Sequence, residues 1–243
     1  MRDASISVLA AALVLTSAGA AHAANWSRGE SGTGRVSGAA IALGATSISQ
    51  QADNTPGAEG VACGNETSGS TTENSFYRRF YLSEHGAASS ATVSAVTIAL
   101  RDGGSGANAA LPITVKLYTI PAATPVDTIP LAALTQIGSA TQNLSVPAGN
   151  EPTSFTIPVT GTIADTTASN LVVEWTNGAD AQTLPAFYPA NNEAAETHPS
   201  FIRAPECGGA APATFASIGF PSAVVMVVEG SGLPVSLQQF EVD

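Results

Sequence analysis

Between Asn74 and Glu229 the chain repeatedly alternates apolar and polar side chains with a period of two, and breaks each run with glycine, proline or asparagine. Ile113-Thr114-Val115-Lys116-Leu117-Tyr118 is the clearest case, with Ile113, Val115 and Leu117 set against Thr114 and Lys116. Successive side chains of a strand point to opposite faces, so this is the pattern of a half-buried strand. Residues 93–100 alternate in the same way. Residues 76–82, 136–146, 154–159, 171–176, 200–203, 215–219 and 223–229 add further strand-forming segments, and 39–48 is a candidate first strand. Turn clusters such as Asp102-Gly103-Gly104-Ser105-Gly106, Pro147-Ala148-Gly149-Asn150 and Asn177-Gly178 lie between them. Beyond the N-terminal leader no window carries a capped apolar stripe of period 3.6, and 15 prolines and 23 glycines would interrupt most helices. The expected fold is all-β: an antiparallel β-sandwich, jelly-roll-like, as a single domain over residues 46–230.

Residues 1–23 read as a secretory signal. Arg2 opens it, the run 6–20 is apolar, and Ala21-His22-Ala23 is an A-x-A cleavage site. A membrane-spanning helix needs about 20 apolar residues, and this run is shorter, so cleavage is expected and no integral membrane segment after it. Export places the protein in the periplasm or outside the cell. Residues 24–45 form an irregular Gly, Ser, Ala and Thr segment, and 231–243 form a C-terminal tail. The two cysteines, Cys63 and Cys207, lack the spacing of a metal or redox pair, and an oxidising compartment makes a disulfide between them the expectation.

Nineteen acidic side chains against eight basic ones give a net charge of −11. So few scattered cations cannot neutralise a row of phosphates, which excludes nucleic acid as a partner. The same shortage argues against an anionic membrane surface. An acidic, lysine-poor surface suits cations, neutral glycans or solubility outside the cell.

Several segments taken together carry a resemblance: Val61-Ala62-Cys63, Asn74-Ser75-Phe76-Tyr77-Arg78, Ile113 to Tyr118, Leu171-Val172-Val173-Glu174, Pro199 to Gly208 and Ile218-Gly219-Phe220-Pro221. Their order resembles a β-sandwich, jelly-roll-like module of secreted bacterial proteins, often an accessory domain of larger exported chains such as hydrolases. The resemblance covers residues 46 to 230 and includes both cysteines, which reinforces the expected disulfide. It implies architecture and export, and the module has no established ligand.

Catalysis by a serine triad needs a nucleophile on a tight turn, a histidine and an orienting acid. Beyond the leader only His85 and His198 are present, and there is no G-x-S-x-G. Glu174 sits in an apolar strand beside Trp175, and alternation turns it away from the core that Val173 and Trp175 face. The reading is therefore a non-catalytic binding module, with carbohydrate as the leading ligand class. The alternatives are a structural or adhesive protein binding other proteins or itself, and a hydrolase of unrecognised type.

Sandwich modules bind sugars through exposed aromatic faces flanked by polar groups. Trp175, Phe187 and Tyr188 with Asn191 and Asn192 are the candidates, their partner a polysaccharide or other cell-surface component. No cofactor motif occurs. A structural calcium is the one ion expected, from oxygen ligands at Glu193 and Glu196 (near Asn191, Asn192 and His198) or at Asp102 and Asn108. The Arg78-Arg79 pair reads as structural, with one arginine buried against Glu84 or Glu206.

Overall fold

The alternating segments pair into two packed antiparallel sheets. A computed structural model describes residues 25–28, 46–65, 70–102, 110–147, 151–178 and 187–233. The expected signal at 1–23, Asn108, most of the candidate first strand and tail residues 234–243 lie outside them. One sheet has six strands. Its centre is β5 (Ser75–Phe80), β10 (Ser169–Thr176) and β7 (Ala110–Pro121), flanked on one side by β8 (Thr135–Ser145) and on the other by β12 (Phe201–Ala204) and β13 (Gly209–Thr214). The facing sheet is built on β6 (Ala91–Asp102), which pairs with β9 (Thr153–Ile163), with β14 (Met226–Ser231) and with β11 (Phe187–Pro189). β2 (Ser47–Ile48) closes its edge beside β14. A small third sheet joins β1 (Asn25–Arg28), β3 (Val61–Asn65) and β4 (Ser70–Thr71). β1 thus forms a strand inside the segment expected to be irregular.

The main core lies between the sheets and takes one face of each strand. Ile113, Val115 and Leu117 of β7, Leu171, Val173 and Trp175 of β10, and Phe76 and Phe80 of β5 meet Val96, Ile98 and Leu100 of β6 and Met226 and Val228 of β14. Trp175 stacks on Phe76 with ring centroids 4.2 Å apart. Burying a side chain of this size contributes about 1.5–3 kcal/mol. Strict alternation along β6 would put Val93 on the face opposite Val96, yet both are buried in this core. Ser94 is an extra residue relative to β14, and this bulge restores the phase. At the bulge Gly230 packs so closely on the Thr92 carbonyl that a Cβ would collide with it.

The outer face of the six-stranded sheet is also covered. Tyr77, Val172 and Phe201 face away from the main core and form a second apolar cluster with Ile120 and Ile129. Ile129 belongs to the connection 122–134 between β7 and β8, which folds back over the sheet and contains a 3-10 turn at Leu131–Ala133.

Cys63 of β3 and Cys207, in the turn after β12, form the expected disulfide across 144 residues of sequence. Closing a loop of that length contributes about 5 kcal/mol in the chain-entropy account. Residues 215–219, expected as a strand, are instead a 3-10 turn at Ala216–Ile218 that ends on Gly219 at φ 86°. Phe215 anchors that turn by packing near Phe76, with centroids 6.2 Å apart. Among the described residues no helix is long and apolar enough to cross a membrane.

Candidate binding groove

The doublet in β5 sends its two guanidinium groups to opposite faces, as strand alternation requires. Arg78 shares the inward face with Phe76 and Phe80 and is fully buried. Its Nε donates to the Val224 carbonyl at 2.9 Å, and its Nη2 meets Glu196 Oε2 at 2.7 Å. Glu196 also accepts from the Ser200 hydroxyl and backbone N–H, at 2.9 and 3.2 Å. Burial pulls the Arg78 guanidinium down to about 10, with Glu196 opposing the shift. The buried arginine therefore pairs with Glu196, and neither Glu84 nor Glu206 takes that place. Glu196 lies 118 residues from Arg78, with several strands between them, so spacing alone gave no sign of the partner.

Arg79 shares the outer face with Tyr77 and hydrogen-bonds backbone carbonyls. Its Nη1 donates to the carbonyls of Pro125 and Thr128 at 2.7 and 3.1 Å, and its Nη2 to that of Thr124 at 3.0 Å. The planar fork of donors suits several carbonyls of one tight loop. Arg79 also lies over the Tyr81 ring, 4.7 Å from its centroid. The Tyr81 hydroxyl accepts the Asp127 N–H at 2.8 Å. Asp127 holds φ at +55°, the one non-glycine residue with positive φ among those described. One strand-end pair thus pegs residues 122–134 to the sheet.

Pegged in this way, the loop forms one wall of a groove of about 590 Å³. Pro125, Asp127, Thr128, Ile129 and Pro130 line that wall, Phe201 lies at the base, and Ala211, Pro212, Thr214 and Ser217 complete the opposite side. That size is within the range of ligand sites. Among the described residues the exposed large hydrophobics are Val126, at 63%, and Leu131, at 41%, and both belong to this loop. The alternation pattern carries no mark of the groove. Its only advance sign was Pro121 to Leu134, a proline-rich, largely apolar connection that does not alternate.

The expected sugar platform does not form. Trp175, Phe187 and Tyr188 are exposed by only 1%, 2% and 7%. Trp175 is covered by the facing sheet, while both faces of β11 are covered, so adjacent aromatics there leave neither ring free. Asn191 and Asn192 serve as staples. Asn191 donates to the Ser222 hydroxyl at 3.0 Å. Asn192 donates to the carbonyls of Asp53 and Thr55 at 2.9 and 2.8 Å, and accepts from Gln51 at 2.8 Å.

The candidate calcium ligands are dispersed. Glu196 is the counter-ion of Arg78, whereas Glu193 is exposed and lines two smaller clefts near Pro221 and Ser222. Asp102 ends β6, its side chain outside the described residues, as is Asn108 altogether. Among the described residues no three His, Cys, Asp or Glu side chains converge as a metal would require.

Glu174 does turn away from the main core, but it is buried under the loop-covered face and is no solvent-facing carboxylate. It accepts from the Tyr118 hydroxyl at 2.7 Å and pairs with Lys116 at 3.4 Å. Burial first, and then Glu174, push the phenols of Tyr118 and Tyr77 well above their ordinary range. The cluster ties β10 to β7.

Comparison with known protein families, with curated proteins and with solved structures found no match to this chain.

Proposed function

We propose that this chain is an exported, non-catalytic binding module that engages a protein partner through the groove between residues 122–134 and β13. The observation that carries this reading is the placement of Val126 and Leu131. Exposed apolar side chains gathered on one surface element mark contact sites, and both stand on the loop that walls the groove. The prolines at 125, 130 and 212 offer a stiff apolar surface that loses little entropy when a partner docks. A protein partner is favoured over a glycan because no candidate aromatic ring presents a face for stacking. The Cys63–Cys207 bond supports an oxidising compartment, and with it export.

The test is a displayed-peptide selection run in parallel with a glycan array, on the wild type and on V126D/L131D. The proposal expects a peptide consensus that the double variant fails to enrich. Glycan binding that survives in the double variant, or peptide enrichment indifferent to it, would sink the reading.

A further inference from the structure

His198 sits between two carboxylates. Its Nδ1 is 2.8 Å from Asp127 Oδ1 and its Nε2 is 2.8 Å from Glu84 Oε2. Glu84 belongs to the turn that follows β5, and Asp127 to the wall of the groove. An ionised carboxylate only accepts hydrogen bonds, so both ring nitrogens must donate for both contacts to hold. A neutral imidazole has one N–H and one lone pair, and the lone pair would then face a carboxylate oxygen at hydrogen-bond distance.

We propose that His198 is a proton-dependent clasp: as imidazolium it ties the 122–134 loop to the body of the sandwich, and on losing a proton it releases one carboxylate and loosens the groove wall. The effect on ligand capture rests on the groove reading above, whereas the clasp itself does not.

The surroundings of the ring support this assignment. Tyr81 stacks on His198 with centroids 3.9 Å apart, holding the imidazole in the plane that reaches both acids. The charged and titratable groups around it are Glu84 and His85 from the turn, Asp127 from the loop, Tyr81, and Arg79 lying over the Tyr81 ring. His85 is no competitor for the two acids. Burial, opposed by Glu84 and aided by His198, pulls its own proton affinity below the ordinary histidine range. Asp127 is also the residue held in the left-handed region. Its backbone is kept there by the Tyr81 hydroxyl and its side chain by His198, so the loop has a conformation to relax into when one contact is lost.

The test attaches a nitroxide at Val126→Cys, an exposed position, in the full purified chain. Both native cysteines are in the disulfide, so the label has one target. Spin-label mobility is read at pH 5 and pH 8, with no partner present. The clasp predicts an immobilised component at pH 5 that falls at least about threefold at pH 8, an expectation based on losing one charge-assisted contact. His198→Asn and His198→Gln should be mobile at both values, and His85→Asn should keep the switch. A thermal melt on each variant separates loosening of the loop from loss of the fold. Equal mobility at the two pH values in the His198 background, or a switch that survives His198→Asn, would overturn the proposal. A switching loop on a groove that recruits no peptide would leave the clasp standing and remove the binding reading.

Discussion

Arg79 Nη1 donates to the Pro125 carbonyl at 2.7 Å, joining the centre of the six-stranded sheet to the middle of the connection that covers it. The same guanidinium takes up the carbonyls of Thr124 and Thr128, so a single side chain organises three backbone groups that no strand pairs. Arg79→Ala should lower stability by about 2–3 kcal/mol, in line with the loss of charge-assisted hydrogen bonds. Hydrogen exchange over residues 122–134 should accelerate more than exchange in β7 or β10. Arg79→Lys should restore little of either, because a point-like ammonium cannot span the three carbonyls. Uniform acceleration across the sheet would show that Arg79 supports the sandwich and not the loop.

Arg78 should be the costlier arginine to lose. Removing one partner of a buried ion pair leaves an uncompensated charge, which typically costs about 3–5 kcal/mol. Arg78→Ala and Glu196→Gln should each show a large loss in urea denaturation. The double variant should lose clearly less than the sum of the two. Additive losses would mean that the 2.7 Å contact carries no coupling.

Reduction of Cys63–Cys207 should destabilise the chain by about 2–5 kcal/mol, the range for removing a native disulfide. A C63A/C207A variant should match the reduced wild type and be insensitive to dithiothreitol. The bond holds β3 and the turn after β12 together across 144 residues of sequence. An unchanged melting temperature on reduction would remove it from the account of stability.

Tyr77, Tyr81 and Tyr118 are three of the four tyrosines, and burial is the first cause that raises each of them. A phenol whose pKa is raised on folding keeps its proton after the unfolded chain has lost it. The stabilisation is therefore complete below about pH 10 and falls as the pH rises above it. An ultraviolet titration should show most phenolate forming together with loss of the fold. Glu174→Gln, which removes the acid acting on Tyr77 and Tyr118, should make the alkaline decline in stability less steep. Phenolate appearing smoothly near pH 10 in the folded chain would contradict the burial.

Much of the sandwich was legible because its evidence is local. Ile113 to Tyr118 alternates in the sequence and alternates in β7, and the segment 171–176 is β10 with Trp175 inward. The failures arose where tertiary packing overrides that pattern. Phe215 to Gly219 has the composition of a strand, yet Phe215 is drawn towards Phe76 and Gly219 supplies a positive φ, so the chain turns. β13, Gly-Ala-Ala-Pro-Ala-Thr, has almost no β-branched content and is a strand because β12 beside it supplies hydrogen bonds. Tyr188 could not be judged from alternation, since that rule assumes one open face and β11 has none. The groove was invisible for a related reason. It joins Asp127 to the β12–β13 hairpin that carries Phe201 and Thr214, more than 70 residues further along the chain, and only the fold brings the two together.

The proposed docking surface is the wall formed by residues 125–130 together with the facing surface at 211–217. The most direct test is hydrogen exchange on the purified chain, with and without the strongest peptide from the displayed selection. Protection confined to these two segments, and absent in V126D/L131D at unchanged stability, is the predicted result. Protection on the clefts around Glu193 and Pro221, or along the exposed threonines of β8 and β9, would contradict it.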